Sequence, residues 1–191
     1  MNYYDKHADT YINSTVSVDM GSQYSLFLPY LPKGASILDA GCGSGRDSLH
    51  FLEQGYKVEA FDNSSAMVEH ARALTGLAVR KLSFAELDYD STFDGIWACA
   101  SLLHVPRTEL PAVFRLLHRA LKPKGLLYCS FKDREADFSQ GGRDFSCFTS
   151  DSFKLFLSDL TVFELIELKY SQDVREGRGN ERWLNILLAR K

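Results

Sequence analysis

The chain has 191 residues, 45% of them hydrophobic and 25% charged, with a formal net charge of −3 at neutral pH. These values predict one α/β domain spanning 1–191 and exclude a basic nucleic-acid-binding surface. No apolar run reaches the ~20 residues a membrane span requires, and the polar stretch Met1–Asp9 has no secretory apolar region. A cytoplasmic protein with no membrane partner is expected, as a monomer or weak homodimer. The four cysteines, Cys42, Cys99, Cys129 and Cys147, form no C-x-x-C pair and stand near no histidine at ligand spacing. Neither a metal site nor a disulfide is therefore expected.

In chain order, residues 1–30 carry five tyrosines, at positions 3, 4, 11, 24 and 30, and one helix is predicted over Asp19–Tyr30. Ser36–Leu38 reads as a strand, Arg46–Gln54 as a helix stopped by Gly55, and Tyr56–Phe61 as a second strand. Ser64 or Ser65 caps a helix to about Leu74, ended by Gly76, and Leu77–Leu82 is read as a third strand. Phe93–Cys99 is apolar almost throughout, as a central parallel strand should be. Leu110, Val113, Phe114, Leu117 and Leu121 recur on one helical face, and Lys122-Pro123-Lys124-Gly125 makes a turn into a fifth strand, Leu126–Phe131. The segment Lys132–Phe148 reads as a loop made mobile by Gly141-Gly142. Thr149 or Ser150 caps a helix carrying Phe153, Phe156, Leu157 and Leu160. Val162–Tyr170 and Trp183–Ala189 follow with no helix between them, so they must pair antiparallel.

The most specific local signal is Asp39-Ala40-Gly41-Cys42-Gly43-Ser44-Gly45-Arg46, placed where a strand turns into a helix. Glycines at alternate positions let the chain turn sharply and let a ligand approach main-chain N–H groups. Asp62 ends the next strand, at the distance of about 20 residues where a carboxylate grips a ribose diol. A pyrophosphate site prefers G-x-G-x-x-G, whereas here the pattern is G-x-G-x-G, followed by Arg46 and preceded by an acid, Asp39. Carboxylates beside such a turn suit a cationic ligand. S-adenosylmethionine, with its sulfonium, ammonium and adenosine, meets that description.

On the segment Asp39–Gly45 together with Asp62, the chain resembles the class I S-adenosylmethionine-dependent methyltransferases. Asp94–Pro106, Tyr4-Asp5-Lys6-His7-Ala8 and Glu181-Arg182-Trp183-Leu184-Asn185 look like a branch of small bacterial members labelled tellurite-resistance-like. The resemblance implies a Rossmann-like doubly wound seven-stranded sheet, mostly parallel, with one antiparallel strand in the C-terminal pair. It implies S-adenosylmethionine as cofactor, released as S-adenosylhomocysteine, and a small-molecule acceptor. Ligands of open α/β sheets lie outside the carboxyl ends of the strands. Cofactor-side candidates are therefore Asp39, Gly41, Cys42, Gly43 and Gly45 after the first strand and Asp62, Asn63 and Met67 after the second. Phe84, Ala85 and Glu86 follow the third, with the Glu86 side chain or a backbone N–H near Ala85 meeting the adenine. The carbonyls of Ala98 or Cys99 follow the fourth.

Acceptor-side candidates are His104 as a general base titrating near 6.5, Tyr4 and Tyr11 from a helical lid over 1–30 above a core of 31–191, and Arg143 for an anionic group, with Lys132 beside it. His7, His50, His70 and His118 read as surface residues. A non-catalytic S-adenosylmethionine-binding module and a nicotinamide-dependent oxidoreductase are the alternative readings.

Overall fold

The computed structural model describes residues 3–175 and 177–191. Seven strands form one sheet in the order β3-β2-β1-β4-β5-β9-β8. They are β1 (Ser36–Ala40), β2 (Lys57–Asp62), β3 (Arg80–Lys81), β4 (Phe93–Ala98), β5 (Leu121–Lys132), β8 (Phe163–Gln172) and β9 (Arg182–Arg190). The order reverses beside β1, which pairs in parallel with both β2 and β4. β9 runs antiparallel to both its neighbours, β5 and β8. The doubly wound sheet with one antiparallel strand in its C-terminal pair is thus present.

Side-chain alternation along the strands sorts the core into two faces. Ile37, Val58, Trp97, Tyr128 and Leu187 point to one side, where they meet Tyr24 and Phe27 of α3 (Gly21–Phe27) and Phe51 of α4 (Arg46–Glu53). Ala60, on that same side, meets Val68 and Ala71 of α5 (Ser65–Thr75). Leu38, Ile96, Leu127 and Ile186 point the other way, against α6 (Leu110–Ala120) and α7 (Ser150–Ser158).

Several elements differ from the sequence reading. The third strand is only Arg80–Lys81, because Val79 O is taken by the Arg72 side chain, at 2.9 Å from Nε and 2.6 Å from Nη2, instead of by a ladder bond. β5 starts at Leu121, and the expected turn Lys122–Gly125 is an irregularity inside it, anchored by Lys122 on Asp94 at 2.9 Å. The N-terminal helix starts at Gly21, whose N–H donates to Asp19 at 2.8 Å, and Pro29 leaves only a 3-10 turn after Phe27. Two further helices precede it, α1 (Tyr3–Lys6) and α2 (Ala8–Thr15).

The loop after β5 contains a two-stranded hairpin. β6 (Phe138–Gln140) and β7 (Arg143–Phe145) pair antiparallel, with Phe138 directly opposite Phe145. The two rings stack at 4.6 Å and 7°. Gly141 and Gly142 hold φ of 60° and 74°, the backbone a tight primed turn requires.

Trp97, at the centre of the sheet, is fully buried and stacks on Tyr128 at 3.9 Å, and its Nε1–H donates to Asp47 at 2.8 Å. Trp97→Phe removes one donor from a buried carboxylate and leaves a void. The expected loss is about 2 kcal/mol, a fall in melting temperature of roughly 4–8 °C that calorimetry would measure.

Candidate functional site

β1 ends in Asp39-Ala40 and the chain turns through Gly41, Cys42 and Gly43 into α4. Gly43 sits at φ 53° with no Cβ, and the nearest atom to where one would stand is Cε1 of Tyr11, at 3.5 Å. The floor of the site is therefore bare backbone under an aromatic ring. Asp62 closes β2 beside it. One carboxylate oxygen accepts the Gly43 N–H at 2.9 Å, the other the Ser64 N–H at 2.8 Å. Burial pushes the Asp62 carboxyl above its usual range against these bonds.

Two cavities meet over this floor. The larger, about 440 Å³, runs from Asp62, Asn63 and Met67 to Phe84 and Ala85. The smaller, about 110 Å³, is lined by Cys42, Cys99, Arg46, Ser130 and Lys132. Tyr4, Tyr11, Gly41, Gly43, His104 and Arg143 border both. The structure thus brings thirteen of the seventeen predicted residues to one hollow at the carboxyl edge of the sheet.

Four predicted residues are elsewhere. Asp39 is buried beneath the turn, on the side of the sheet that faces α4, and accepts the Ser48 hydroxyl at 2.5 Å. Burial, and then the charge of Asp47, push its carboxyl well above the usual carboxylate range. Gly45 lies at φ 85°, and its missing Cβ makes room for Ala71 of α5, 3.0 Å away. Its role is helix packing. The Glu86 side chain turns back to accept the Ser83 N–H at 2.9 Å and the Ser83 hydroxyl at 2.6 Å, closing a capping box on the exposed side. Ala98 is fully buried in the core on the α6 side. His70, read as a surface residue, contacts Ser44 O at 2.9 Å through Nδ1, and His50 stacks on Tyr24 at 4.0 Å.

A polar network underneath was not foreseen. Asp47 accepts from Tyr24 OH at 2.6 Å, from Trp97, and from Arg46 at 2.7 and 2.8 Å. Burial alone would raise the Asp47 carboxyl, but the Arg46 charge and these bonds hold it below the usual range. Arg46 also donates to Thr15 O at 3.1 Å, fixing the end of α2. Ser101, also unforeseen, donates to Ala40 O at 2.6 Å and lies where a Cβ on Gly41 would stand, 2.5 Å from that point. The adjacent Arg46-Asp47 pair at a helix start was the one sequence signal available for this network.

His104 is partly buried at the junction of the cavities. Its Nδ1 lies 3.0 Å from Asp144 O, a pure acceptor, so Nδ1 carries the proton. Its Nε2 therefore accepts from Tyr4 OH, at 2.7 Å. Burial pushes the imidazole down to about 4, with Arg143 and Lys132 adding positive charge nearby. Burial likewise lowers the Lys132 ammonium to about 8, although it pairs with Glu181.

A depressed folded-state pKa for His104 contributes stability that is complete above about pH 6.5 and is lost as pH falls towards 4. His104→Asn should flatten this part of the profile. The difference between wild type and variant should change by about 2 kcal/mol between pH 7 and pH 4.5, allowing for partial solvent screening. Denaturant melts at a series of pH values would measure it.

Residues 37–125 match the family model described as "Methyltransferase domain". Cypemycin N-terminal methyltransferase from Streptomyces sp is 33% identical over 116 residues, 58% of this chain and 47% of that protein. The chain spans about half the length of the curated relatives it matches. Among solved structures, 1,6-didemethyltoxoflavin-N1-methyltransferase of Burkholderia thailandensis, bound to 1,6-didemethyltoxoflavin and S-adenosylhomocysteine, superposes with a TM-score of 0.79 at 22% identity, over 98% of this chain and 84% of that one. A TehB-like S-adenosylmethionine-dependent methyltransferase from Corynebacterium glutamicum gives 0.71 at 21% identity, over 99% and 98%. The sheet order and the solved structures show that the chain shares its fold with class I S-adenosylmethionine-dependent methyltransferases, and the glycine turn lies inside the segment, residues 37–125, that matches the methyltransferase-domain model.

Proposed function

We propose that the protein is an S-adenosylmethionine-dependent methyltransferase acting on a small-molecule acceptor. The observation that carries the reading is the shared cavity. The Gly41–Gly43 backbone, the Asp62 carboxylate and the apolar walls Met67 and Phe84 border one hollow under Tyr4 and Tyr11. A ribose diol needs an acceptor such as Asp62, and an adenine needs apolar walls. A sulfonium favours aromatic faces and bare backbone. The residues present therefore fit the cofactor. When bound, S-adenosylmethionine supplies an already activated methyl group on sulfur, so no nucleophilic side chain is required of the protein.

What the chain contributes is binding, orientation and exclusion of water. Asp62 would hold the ribose, with Asn63, Phe84 and Ala85 beside the adenine. Tyr11 lies over Gly43, and residues 1–30 serve as the lid above the core of 31–191. Tyr4 gives its hydroxyl proton to His104 Nε2, which leaves the Tyr4 oxygen lone pairs to accept a hydrogen bond from the acceptor's nucleophile. His104, fixed by Asp144 O, is a positioning residue that orients the Tyr4 hydroxyl.

The relatives act on several kinds of acceptor by name, so the acceptor is argued from the cavity and not from a branch of the family. The smaller cavity, about 110 Å³, suits a compact acceptor. No described helix is long and apolar enough to cross a membrane. All four cysteines are free, which supports a reducing, cytoplasmic setting.

Asp62→Ala removes the acceptor placed for the ribose. Hydrogen bonds to charged groups are worth about 1.5–3 kcal/mol, so calorimetry should show S-adenosylhomocysteine binding weakened roughly 10- to 100-fold. Unchanged affinity in a folded variant overturns the assignment. Gly43→Val, which forces a β-branched residue to positive φ beneath Tyr11, should abolish binding and still melt cooperatively.

A further inference from the structure

The smaller cavity is rich in cations, and nearly all of them are already neutralised. Arg46 pairs with Asp47, Lys132 with Glu181, Arg175 with Asp173 and Arg178 with Glu181. Arg143 has no carboxylate partner among the described residues. It opens β7, on the hairpin after the fifth strand, and it borders both cavities. Its guanidinium is held by aromatic faces, with Cζ 4.1 Å from the Tyr3 ring centre, 5.2 Å from Phe145 and 5.8 Å from Tyr4.

Ring faces hold the charge in place, and the Tyr4 hydroxyl is within hydrogen-bonding reach of the guanidinium. The Nε of Arg143 is buried and has no hydrogen-bond partner, and it is the one such side-chain nitrogen or oxygen among the described residues. A buried unpaired N–H is costly, and on a guanidinium more so. Here it stands at the junction where the acceptor must lie, next to the Tyr4–His104 pair.

Resting on the methyl-transfer reading above, we propose that Arg143 anchors an acceptor that carries a carboxylate, received on the Nε edge of its guanidinium. That edge presents two parallel N–H groups, which match the two oxygens of a planar carboxylate. The walls beside it, Tyr4, Tyr11 and Phe145, favour an acceptor whose body is flat and apolar. The cofactor has a carboxylate of its own, but the cation beside the glycine turn is Arg46, on α4 and lining the smaller cavity.

The test uses the full chain and simple probes. S-adenosylhomocysteine is first titrated into the wild-type protein by calorimetry, then benzoate and, separately, its neutral isostere benzamide are titrated into the loaded protein. Benzoate is expected to bind saturably and benzamide not. Arg143→Gln should weaken benzoate at least about tenfold while leaving S-adenosylhomocysteine affinity within about threefold, and Arg143→Lys should recover only part of the loss. Cooperative melting of both variants checks the fold. The proposal is overturned if benzoate binding is absent in the loaded wild type, matched by benzamide, or indifferent to Arg143→Gln. A large drop in S-adenosylhomocysteine affinity in Arg143→Gln also overturns it, because the guanidinium then serves the cofactor's carboxylate. If wild type takes up no S-adenosylhomocysteine at all, the first titration shows that the underlying reading has failed, and the proposal falls with it.

Discussion

The site depends on one buried ion, Asp47. A lone carboxylate in this position would cost several kcal/mol of lost hydration. Four donors from three elements compensate it: Tyr24 from α3, Trp97 from β4, and two N–H groups of the adjacent Arg46 in α4. The first helical residues of α4 are thereby tied to the centre of the sheet, and the glycine turn between them is held in one shape. Arg46 extends the tie to Thr15 O at the end of α2, where a cation also favours the helix dipole. The aromatic cover over Gly43 and the floor beneath it therefore share an anchor.

The same arrangement explains why the second acid, Asp39, is silent. Two ionised carboxylates on the buried side of one turn repel strongly in a low dielectric. Asp47 has an arginine and Asp39 has only a serine hydroxyl, so the Asp39 carboxyl is raised while that of Asp47 is lowered. Strand parity settles its direction. Ile37 and Asp39 lie on the same side of β1, the side covered by α3 and α4, so the acid of the motif supports the turn from below while Asp62, one strand over, meets the cavity.

What was legible in the chain was what repeats. Alternating apolar strands and capped helices gave the sheet, and the pairing of a glycine turn with Asp62 gave the floor of the cavity. What was missed turned on local chemistry read too coarsely. Ser83-Phe84-Ala85-Glu86 is a capping box by spacing, and that geometry turns Glu86 back on Ser83 and away from any ligand. Gly141-Gly142 between Phe138 and Phe145 is a hairpin signature. The depressed imidazole of His104 was not readable at all, because it follows from burial under residues 100 and 40 positions distant, Tyr4 and Asp144.

The N-terminal helices were illegible for a different reason. α1 has four residues and α2 has eight, far below the length at which a helix is stable by itself. Their order must come from docking. Asp5 accepts the Ser64 hydroxyl at 2.6 Å and the Ala66 N–H at 3.3 Å, standing as a second cap on α5. Tyr3 lies over the Arg143 guanidinium, Tyr4 bonds His104, and Thr15 O receives Arg46. Every one of these partners belongs to an element at the carboxyl edge of the sheet, and most of them line the hollow. A ligand that fills the hollow adds contacts to Tyr4 and Tyr11 as well as to the floor. By linkage it stabilises the helices by as much as their order strengthens its own binding. The aromatic residues at 3, 4 and 11 are thus not a decoration on a frayed terminus. They are the contacts through which these helices dock at the edge of the hollow.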